Sequence, residues 1–300
     1  MRLTFLGTAG SWPTKERSAS AIALDTDSEL VLLDCGEGTQ RQFFQSSASF
    51  MRVRRVFITH FHGDHFLGLP GLIQSMCLNH RSEPLDLYGP PDAREMFERV
   101  LRMGYFTLRF PVEIHPLEAG AEVELPGYTV RTALAQHPVP TLAYRIDEQA
   151  KRGRFDAPLA RSLGIRGPDF ARLEAGEAVR VGERVIRPED VMGPARPGRS
   201  IVYSGDSAPC EAIRRLADRS TLLIHEATTA SDLEAEANRW GHTSARQAAE
   251  IALEARAEGL FLTHFSSRYK ELDALEAEAR SIFVGAQAAR DLLDHTVRQP

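Results

Sequence analysis

The sequence predicts an α/β fold, and two observations support this prediction. Short apolar runs with Gly or Asp at their ends recur along the chain, as buried strands do. Segments with helical spacing lie between several of these runs, and such mixing of strands and helices produces layered α/β folds. The 300 residues, of which 43% are hydrophobic, permit one domain or two. We expect a single domain over residues 1–300 with an insertion at 151–199.

Six apolar runs are predicted to be strands, and three segments are predicted to be helices. The predicted strands are 3–6, 30–33, 55–58, 201–203, 222–224 and 260–262. The predicted helices are 91–103, 243–257 and 269–282. Thr243 is the predicted N-cap of the second helix, because its hydroxyl can accept a hydrogen bond from the unpaired N–H groups of the first turn.

Polar side chains follow four of these strands at their carboxyl ends. They are His60, Asp206, His225 and His264. Ligand sites in layered α/β folds lie at such strand ends. We therefore expect a functional site where these ends meet, with His225 packed beneath it and not serving as a ligand.

The region 151–199 interrupts the strand pattern and is rich in Gly, Pro and Arg. The whole chain has a net charge of −5, which argues against a nucleic-acid partner because phosphate backbones attract Lys and Arg. This region, however, carries eleven basic and seven acidic residues. It therefore predicts a local RNA-facing surface, with an ordinary solvated loop as the alternative.

The cysteines and the hydropathy pattern predict a compartment. Cys35, Cys77 and Cys210 form no CxxC pair, and the first residues lack the continuous apolar stretch of a signal peptide. No run reaches the roughly 18 apolar residues that a membrane span requires. We expect a cytoplasmic protein with reduced, packed thiols and no membrane span.

The strongest chemical signal is the sequence HFHGDH, directly after the predicted strand 55–58. It places His60, His62, Asp64 and His65 within six residues, and imidazole and carboxylate are ligands that zinc prefers. Residues two apart in an extended stretch share a side, so His60 and His62 can bind one ion. Asp64 and His65 are then free to face a second ion. A solvated histidine-rich loop is the alternative.

Further ligands are available at His137, Asp206 and His264. Each is a weak signal alone, because a single His after a strand is usually a hydrogen-bonded structural residue and a Gly-Asp pair is usually a turn. Their common position after predicted strands is what favours a metal site.

Several longer motifs extend this pattern over nearly the whole chain. They are DCGEGTQRQ at 34–42, GLPGLI at 68–73, IVYSGDS at 201–207, HEAT at 225–228, GHTS at 241–244 and LTHFSSRY at 262–269. With HFHGDH, the chain resembles the metallo-β-lactamase superfamily and, within it, the ribonuclease Z family. The HxHxDH pattern is common to the superfamily, whereas HEAT, GHTS and HFSSRY are more specific.

The resemblance implies a fold and a ligand set. It implies a four-layer αβ/βα sandwich of two mixed β-sheets, and a homodimer. It implies two zinc ions per subunit, and these ligand types also accept manganese or iron. One ion would be bound by His60, His62 and His137, the other by Asp64, His65 and His264, with Asp206 between them.

The activity implied by the resemblance is removal of the 3′ trailer from precursor tRNA, with no DNA substrate. The products would be a tRNA 3′-hydroxyl and a trailer 5′-phosphate. Asp64 would accept the proton of the attacking water, and His242 would donate a proton to the leaving oxygen. Glu226 would orient His242 and raise its pKa.

Basic residues are the expected RNA contacts. The region 151–199 resembles the flexible arm with which this family grips tRNA. The loop 13–18 matches the PxKxRN loop of the family except that Ser18 replaces Asn. Lys15 and Arg17 of this loop, together with Arg268, are therefore expected to bind phosphates.

Two other functions share part of the pattern. A glyoxalase II-like thioesterase has the HxHxDH run and the bridging Asp but lacks HEAT, GHTS and the arm. A non-catalytic RNA-binding protein of the same fold would have lost ligands, whereas this chain has the full expected set.

Overall fold

The computed structural model describes residues 1–299 and divides into two compact units. The larger unit comprises Met1–Glu148 and Arg199–Arg298, and the smaller contains Gln149–Gly198. The strands of the described chain are β1 Arg2–Gly7, β2 Ala21–Asp25, β3 Leu30–Leu33, β4 Val53–Phe57, β5 Leu85–Gly89, β6 Val112–Pro116, β7 Glu122–Leu125, β8 Tyr128–Leu134, β9 Leu142–Glu148, β10 Val179–Val181, β11 Arg184–Ile186, β12 Ser200–Tyr203, β13 Leu222–Glu226, β14 Leu260–Thr263, β15 Ala286–Ala288 and β16 Asp294–Thr296. The α-helices are α1 Thr39–Gln45, α2 Gly63–Phe66, α3 Leu69–Leu78, α4 Ala93–Leu101, α5 Ala157–Ser162, α6 Asp169–Ala175, α7 Pro188–Val191, α8 Glu211–Leu216, α9 Glu234–Arg239, α10 Ala245–Glu254 and α11 Asp273–Arg280.

The larger unit contains two seven-stranded sheets within the described residues. The first has the order β16-β1-β2-β3-β4-β5-β6, and the second has the order β15-β14-β13-β12-β9-β8-β7. The β3-β4-β5-β6 pairs of the first sheet are parallel and its remaining pairs are antiparallel. The β12-β13-β14-β15 pairs of the second sheet are likewise parallel, whereas β12-β9-β8-β7 are antiparallel. Both sheets are therefore mixed.

The two sheets pack face to face with helices outside. Alternate residues of β1 to β3, such as Phe5, Ile22 and Val31, share one buried cluster with Tyr144 and Phe261 of the second sheet. The opposite face of the first sheet packs against α1, α3 and α4, and that of the second sheet packs against α8, α10 and α11. Strands buried on both faces have continuous apolar sequences, which explains why the short apolar runs predicted them. The four-layer sandwich expected from the sequence is confirmed.

The predicted helices are present but shorter. Helix α10 begins after Ser244, not after Thr243: the Ser244 hydroxyl accepts a hydrogen bond from the Gln247 N–H, and the Gln247 side chain accepts one from the Ser244 N–H. In the non-helical segment before α11, the carbonyls of Tyr269 and Lys270 accept hydrogen bonds from the Arg17 guanidinium. A carbonyl engaged by a guanidinium does not need a helical partner.

The smaller unit is built from short helices and a β-hairpin. Its core comprises six buried side chains, those of Ala160, Ile165, Leu173, Val179, Ile186 and Val191. Helix α6 ends at Gly176, whose φ of 96° is favourable for glycine, and the chain then enters the hairpin of β10 and β11. The LxxGExV stretch at 173–179 is therefore a helix end followed by a strand. Arg199 belongs to the larger unit, where its guanidinium donates hydrogen bonds to Glu148.

The helices that the structure describes were compared with the requirements of a membrane span. None of those in residues 1–299 combines the length and the apolar character that crossing a bilayer requires.

Candidate metal centre

The expected ligands converge at the carboxyl ends of strands in the larger unit. His60 and Asp206 lie three residues beyond the ends of β4 and β12, and His264 directly follows β14. His137 lies three residues beyond the end of β8. These strands come from both sheets, so the site lies at one edge of the sandwich and its geometry depends on how the sheets pack.

Of the side-chain groups in the described residues whose ligand atoms lie within 4.8 Å of one another, two contain the residues predicted as ligands. The first group comprises His60, His62, His137 and Asp206, and the second comprises Asp64, His65, Asp206 and His264. The carboxylate of Asp206 belongs to both groups. The structure thus brings together all seven residues named from the sequence as ligands.

Individual distances show how tightly the atoms approach. The Asp206 Oδ1 lies 3.3 Å from His65 Nε2, and its Oδ2 lies 3.2 Å from His264 Nε2. The Asp64 Oδ2 lies 3.3 Å from the same His264 nitrogen. In the first group, His62 Nδ1 and His137 Nε2 are 3.1 Å apart. These nitrogens and oxygens point at shared points in space, as ligands of a common ion do.

Unpaired buried atoms test whether the side chains fit a cation. The buried atoms without a hydrogen-bond partner in the described residues include three ligand atoms of the site, His60 Nε2, His65 Nε2 and Asp206 Oδ1. Leaving such a group unpaired costs about 1–3 kcal/mol, so three at one place would be expensive. A divalent cation bound by all three would remove this cost, and the donor set therefore fits a metal.

Several carboxylates surround the buried imidazoles of the site. Burial would raise the pKa of Asp206, but the rings of His264, His65 and His60 hold it well below its usual value. Burial would lower the pKa of His65, but Asp206, Asp34 and Asp64 raise it well above its usual value. The Asp206 carboxylate is thus ionised and available to a cation.

Asp34 contacts the candidate ligand His65 and was not singled out from the sequence. It is fully buried directly after β3, with a φ of 55°, and its Oδ2 accepts hydrogen bonds from His65 Nδ1 at 2.7 Å and Tyr203 Oη at 2.8 Å. It also accepts from the Thr59 hydroxyl, which in turn lies 3.1 Å from His60 Nδ1. One carboxylate therefore orients two ligands with their Nε2 atoms toward the site. The sequence feature that could have pointed to Asp34 is its position directly after a buried strand, at the start of DCGEG.

Two other ligand rings are oriented by short loops. The Gly241 carbonyl accepts a hydrogen bond from His137 Nδ1 at 2.9 Å. The Thr228 hydroxyl lies 2.9 Å from His264 Nδ1 and donates to Glu226 Oε2 at 2.6 Å. Both arrangements place the proton on Nδ1 and leave Nε2 as the ligand atom.

His242 and Glu226 form a pair beside the two ligand groups. His242 Nδ1 lies 3.0 Å from Glu226 Oε1, and Glu226 is fully buried. Burial alone would lower the pKa of His242, but the Glu226 carboxylate raises it to about 9. The ring is therefore protonated at neutral pH, with Nε2 on the side away from the carboxylate.

A cavity of about 680 Å³ opens over the centre. Asp64, His137, Asp206, His242 and His264 contribute to its wall. Its size is in the range of roughly 300–1,000 Å³ that is typical of ligand sites.

The three predicted phosphate contacts have different surroundings. Arg268 is exposed and lines the cavity, and Lys15 is exposed on its loop. Arg17 is buried, and its guanidinium donates to the carbonyls of Ser266, Tyr269 and Lys270. These bonds direct both Nη groups of Arg17 at backbone carbonyls, and its contact with a phosphate stays a prediction.

His225 lies beneath the site, fully buried, with Nδ1 2.8 Å from the Glu226 carbonyl. It belongs to neither of the two groups that share Asp206. His225 is thus buried, hydrogen-bonded and outside both groups, and its structural role stays a prediction.

Comparison with protein families supports the class that the fold and site define. A family model described as "Beta-lactamase superfamily domain" matches residues 184–265, and one described as "Anti-Pycsar protein Apyc1" matches residues 1–146. With the four-layer sandwich, these matches define a member of the β-lactamase superfamily with the metallo-β-lactamase fold.

Individual relatives identify the family. The chain is 47% identical to Ribonuclease Z of Methanothermobacter thermautotrophicus, over 99% of this chain and 97% of that protein. It is 44% identical to Ribonuclease Z of Myxococcus xanthus, over 90% of this chain and 88% of that protein. The crystal structure of human tRNase Z, short form, has a TM-score of 0.74 at 26% identity and covers 99% of this chain and 100% of that chain. The chain belongs to the ribonuclease Z family.

Proposed function

We propose that this protein is a metal-dependent endoribonuclease that removes the 3′ trailer from precursor tRNA. The observation that carries the proposal is a pair of ligand groups sharing Asp206, directly beside the His242–Glu226 pair, in a chain of the ribonuclease Z family. Hydrolysis leaves a 3′-hydroxyl on the tRNA and a 5′-phosphate on the trailer, because water and not the 2′-hydroxyl is the nucleophile.

The two ligand groups would each hold one Zn²⁺, and manganese or iron suits the same nitrogen and oxygen ligands. Divalent ions bound by these residues would lower the pKa of an attacking water and would draw charge from the phosphate oxygens. The unpaired Nε2 atoms of His60 and His65 and the Oδ1 of Asp206 support this assignment. Asp34 keeps the rings oriented through its bonds to His65 and Thr59.

The chain's own residues move the protons. Burial would raise the pKa of Asp64, but His65 and His264 lower it, so Asp64 is ionised. In the proposed reaction this carboxylate accepts the proton of the attacking water. The imidazolium of His242 donates its Nε2 proton to the leaving 3′-oxygen, while Glu226 holds the Nδ1 side of the ring. Donor and acceptor thus have opposite charge states at the same pH, as hydrolysis requires.

Contacts with the tRNA come from basic groups outside the metal centre. Gln149–Gly198 carries ten basic and seven acidic residues, and most of its arginines are exposed. Lys15 and Arg268 are exposed and can bind phosphates near the cavity. For Arg17 we propose a positioning role, in which its bonds to three carbonyls hold the loop 13–18.

Assembly and compartment complete the proposal. The side chains of Phe44, Leu78 and Tyr105 are large, apolar and exposed in the larger unit, which supports a homodimer that covers them. Cys35, Cys77 and Cys210 are free thiols, which supports a reducing, cytoplasmic location. Light scattering of the purified protein tests the dimer, and Leu78→Asp should shift it to monomer.

One experiment tests the function. A 3′-extended precursor tRNA is incubated with the wild-type protein and with His65→Ala, and both product ends are mapped. The wild type should release the trailer with the stated ends, and His65→Ala should lose both bound metal and cleavage. A thioester substrate is the control: turnover of the thioester faster than of the tRNA would contradict the proposal.

A further inference from the structure

Both tryptophans of the chain line the cavity over the metal centre. The sequence contains two Trp residues, Trp12 and Trp240. Their side chains are 61% and 67% exposed, although indoles are usually largely buried. Large exposed aromatic side chains beside a polar site provide flat apolar surface for a ligand.

The backbone around Trp12 is fastened to the second ligand group. The Ser11 N–H donates a hydrogen bond to Asp64 Oδ2 at 2.6 Å. Gly10 lies so close to His264 that a Cβ at this position would be 2.7 Å from the imidazole ring. Contacts with Asp64 and His264 therefore fix the backbone next to Trp12.

The backbone around Trp240 is fastened to the first ligand group in the same way. The neighbouring Gly241 accepts the hydrogen bond from His137 Nδ1, and a Cβ on it would be 2.8 Å from that atom. Gly241 has a φ of 78°, which favours glycine. The next residue is His242. Each indole is thus tied to a different ligand group, and the two line one cavity.

We infer that Trp12 and Trp240 form a stacking pair for the unpaired bases on the two sides of the scissile phosphate. The inference rests on the proposed function and names the part of the substrate that the cavity recognises. Unpaired nucleotides expose both faces of their bases, and aromatic side chains stack on them with little dependence on sequence. Arg268, which lines the same cavity, can neutralise a phosphate between the bases.

Fluorescence tests this directly, because the two tryptophans are the only ones in the chain. A five-nucleotide single-stranded RNA should quench the indole emission of the wild-type protein. An RNA of the same length and charge with abasic residues at its two central positions should not. Equal quenching by both RNAs would overturn the inference.

Kinetics with variants test the same pair on the full substrate. Trp12→Ala and Trp240→Ala should each raise KM for the 3′-extended tRNA by roughly 5- to 100-fold, whereas the Phe variants should stay within about threefold of wild type. Leu253→Ala, at an exposed apolar position outside the cavity, is the matched control and should leave KM unchanged.

A double-mutant cycle that combines the Trp variants with abasic RNAs separates base stacking from a general effect of the substitutions on the loops. With an abasic nucleotide on one side of the scissile phosphate, one of the two Ala substitutions should no longer raise KM. With the abasic nucleotide on the other side, the other Ala substitution should no longer raise KM. Independent, additive effects would overturn the inference. Cleavage by the wild-type protein with unchanged KM in both Ala variants would overturn it while leaving the proposed function intact.

Discussion

The metal centre and the segment Gln149–Gly198 differ in how their functional side chains are held. Asp34 and Asp206 follow strand ends and His65 lies in the short helix α2; all three are buried, and His65 contacts both carboxylates. The segment has a core of six side chains and exposes most of its arginines. Chemistry requires placement within a fraction of an ångström, whereas attraction of a phosphate backbone requires mainly charge. Substitutions in the first region should therefore affect the rate and metal content, and those in the second should affect RNA affinity.

His242→Asn should have the largest effect on the chemical step. Loss of a proton donor typically costs about 10²- to 10⁴-fold in rate, and the side chain is not a member of either Asp206-sharing group. We expect kcat to fall by that factor while KM and metal content stay near those of wild type. Single-turnover cleavage together with metal analysis measures both. A loss of bound metal in this variant would show that His242 supports the ligands and is not the proton donor.

Asp34→Asn should affect metal affinity before it affects chemistry. The carboxylate accepts hydrogen bonds from His65 Nδ1 and the Thr59 hydroxyl, and an amide can accept fewer of them and carries no charge. Loss of such a partner typically weakens metal binding by about 10- to 100-fold. Titration of the metal-free protein with zinc measures this change. Cleavage should recover at high zinc concentration, and failure to recover would argue for a role beyond ligand orientation.

Glu226→Gln should change the pH dependence of cleavage. Glu226 raises the pKa of His242 to about 9 against the lowering effect of burial. A proton donor works below its pKa, so the rate should fall as the pH rises through that value. Without the carboxylate the pKa is lower, and the fall should begin at a lower pH than in the wild type. A pH profile of kcat checks this, and an unchanged alkaline limb would contradict the assignment of His242 as donor.

Charge removal in the smaller unit should have the mildest effect. Arg180 and Arg184 lie in the exposed hairpin of β10 and β11. The double variant with Gln at both positions should bind precursor tRNA several-fold more weakly. The slope of log affinity against log salt concentration should fall by about one to two, as for the loss of one to two phosphate contacts. Hydrolysis of a small chromogenic phosphodiester should be unchanged. Arg54→Gln, an exposed arginine of the larger unit paired with Glu83, is the control.

Sequence patterns predicted the parts of the centre that depend on local spacing. The run HFHGDH predicted His60, His62, Asp64 and His65 together because four ligand-type side chains within six residues are hard to explain otherwise. His137, by contrast, was weak by itself and gained support from its position after a strand. The layered α/β class followed in the same way from apolar runs separated by helical segments.

Contacts between distant segments could not be predicted in this way. Asp34 acquires its role from Thr59, His65 and Tyr203, which lie 25 to 169 residues away along the chain. The sequence predicted Arg17 as a phosphate contact, but it could not predict that the fold places carbonyls from a loop more than 240 residues away around the Arg17 guanidinium. The donors and acceptors of such bonds are visible in the sequence, but which of them meet is decided by the packing of the two sheets.

The role of Asp206 in both ligand groups is the central claim, and metal analysis of three proteins tests it most directly. The wild type, His137→Ala and Asp206→Ala are reconstituted with zinc at limiting concentration, and bound zinc is counted by elemental analysis alongside cleavage. The wild type should hold two ions, His137→Ala should hold one, and Asp206→Ala should hold neither ion tightly and cleave no tRNA. An Asp206→Ala protein that still binds two zinc ions and processes tRNA at the wild-type rate would contradict it.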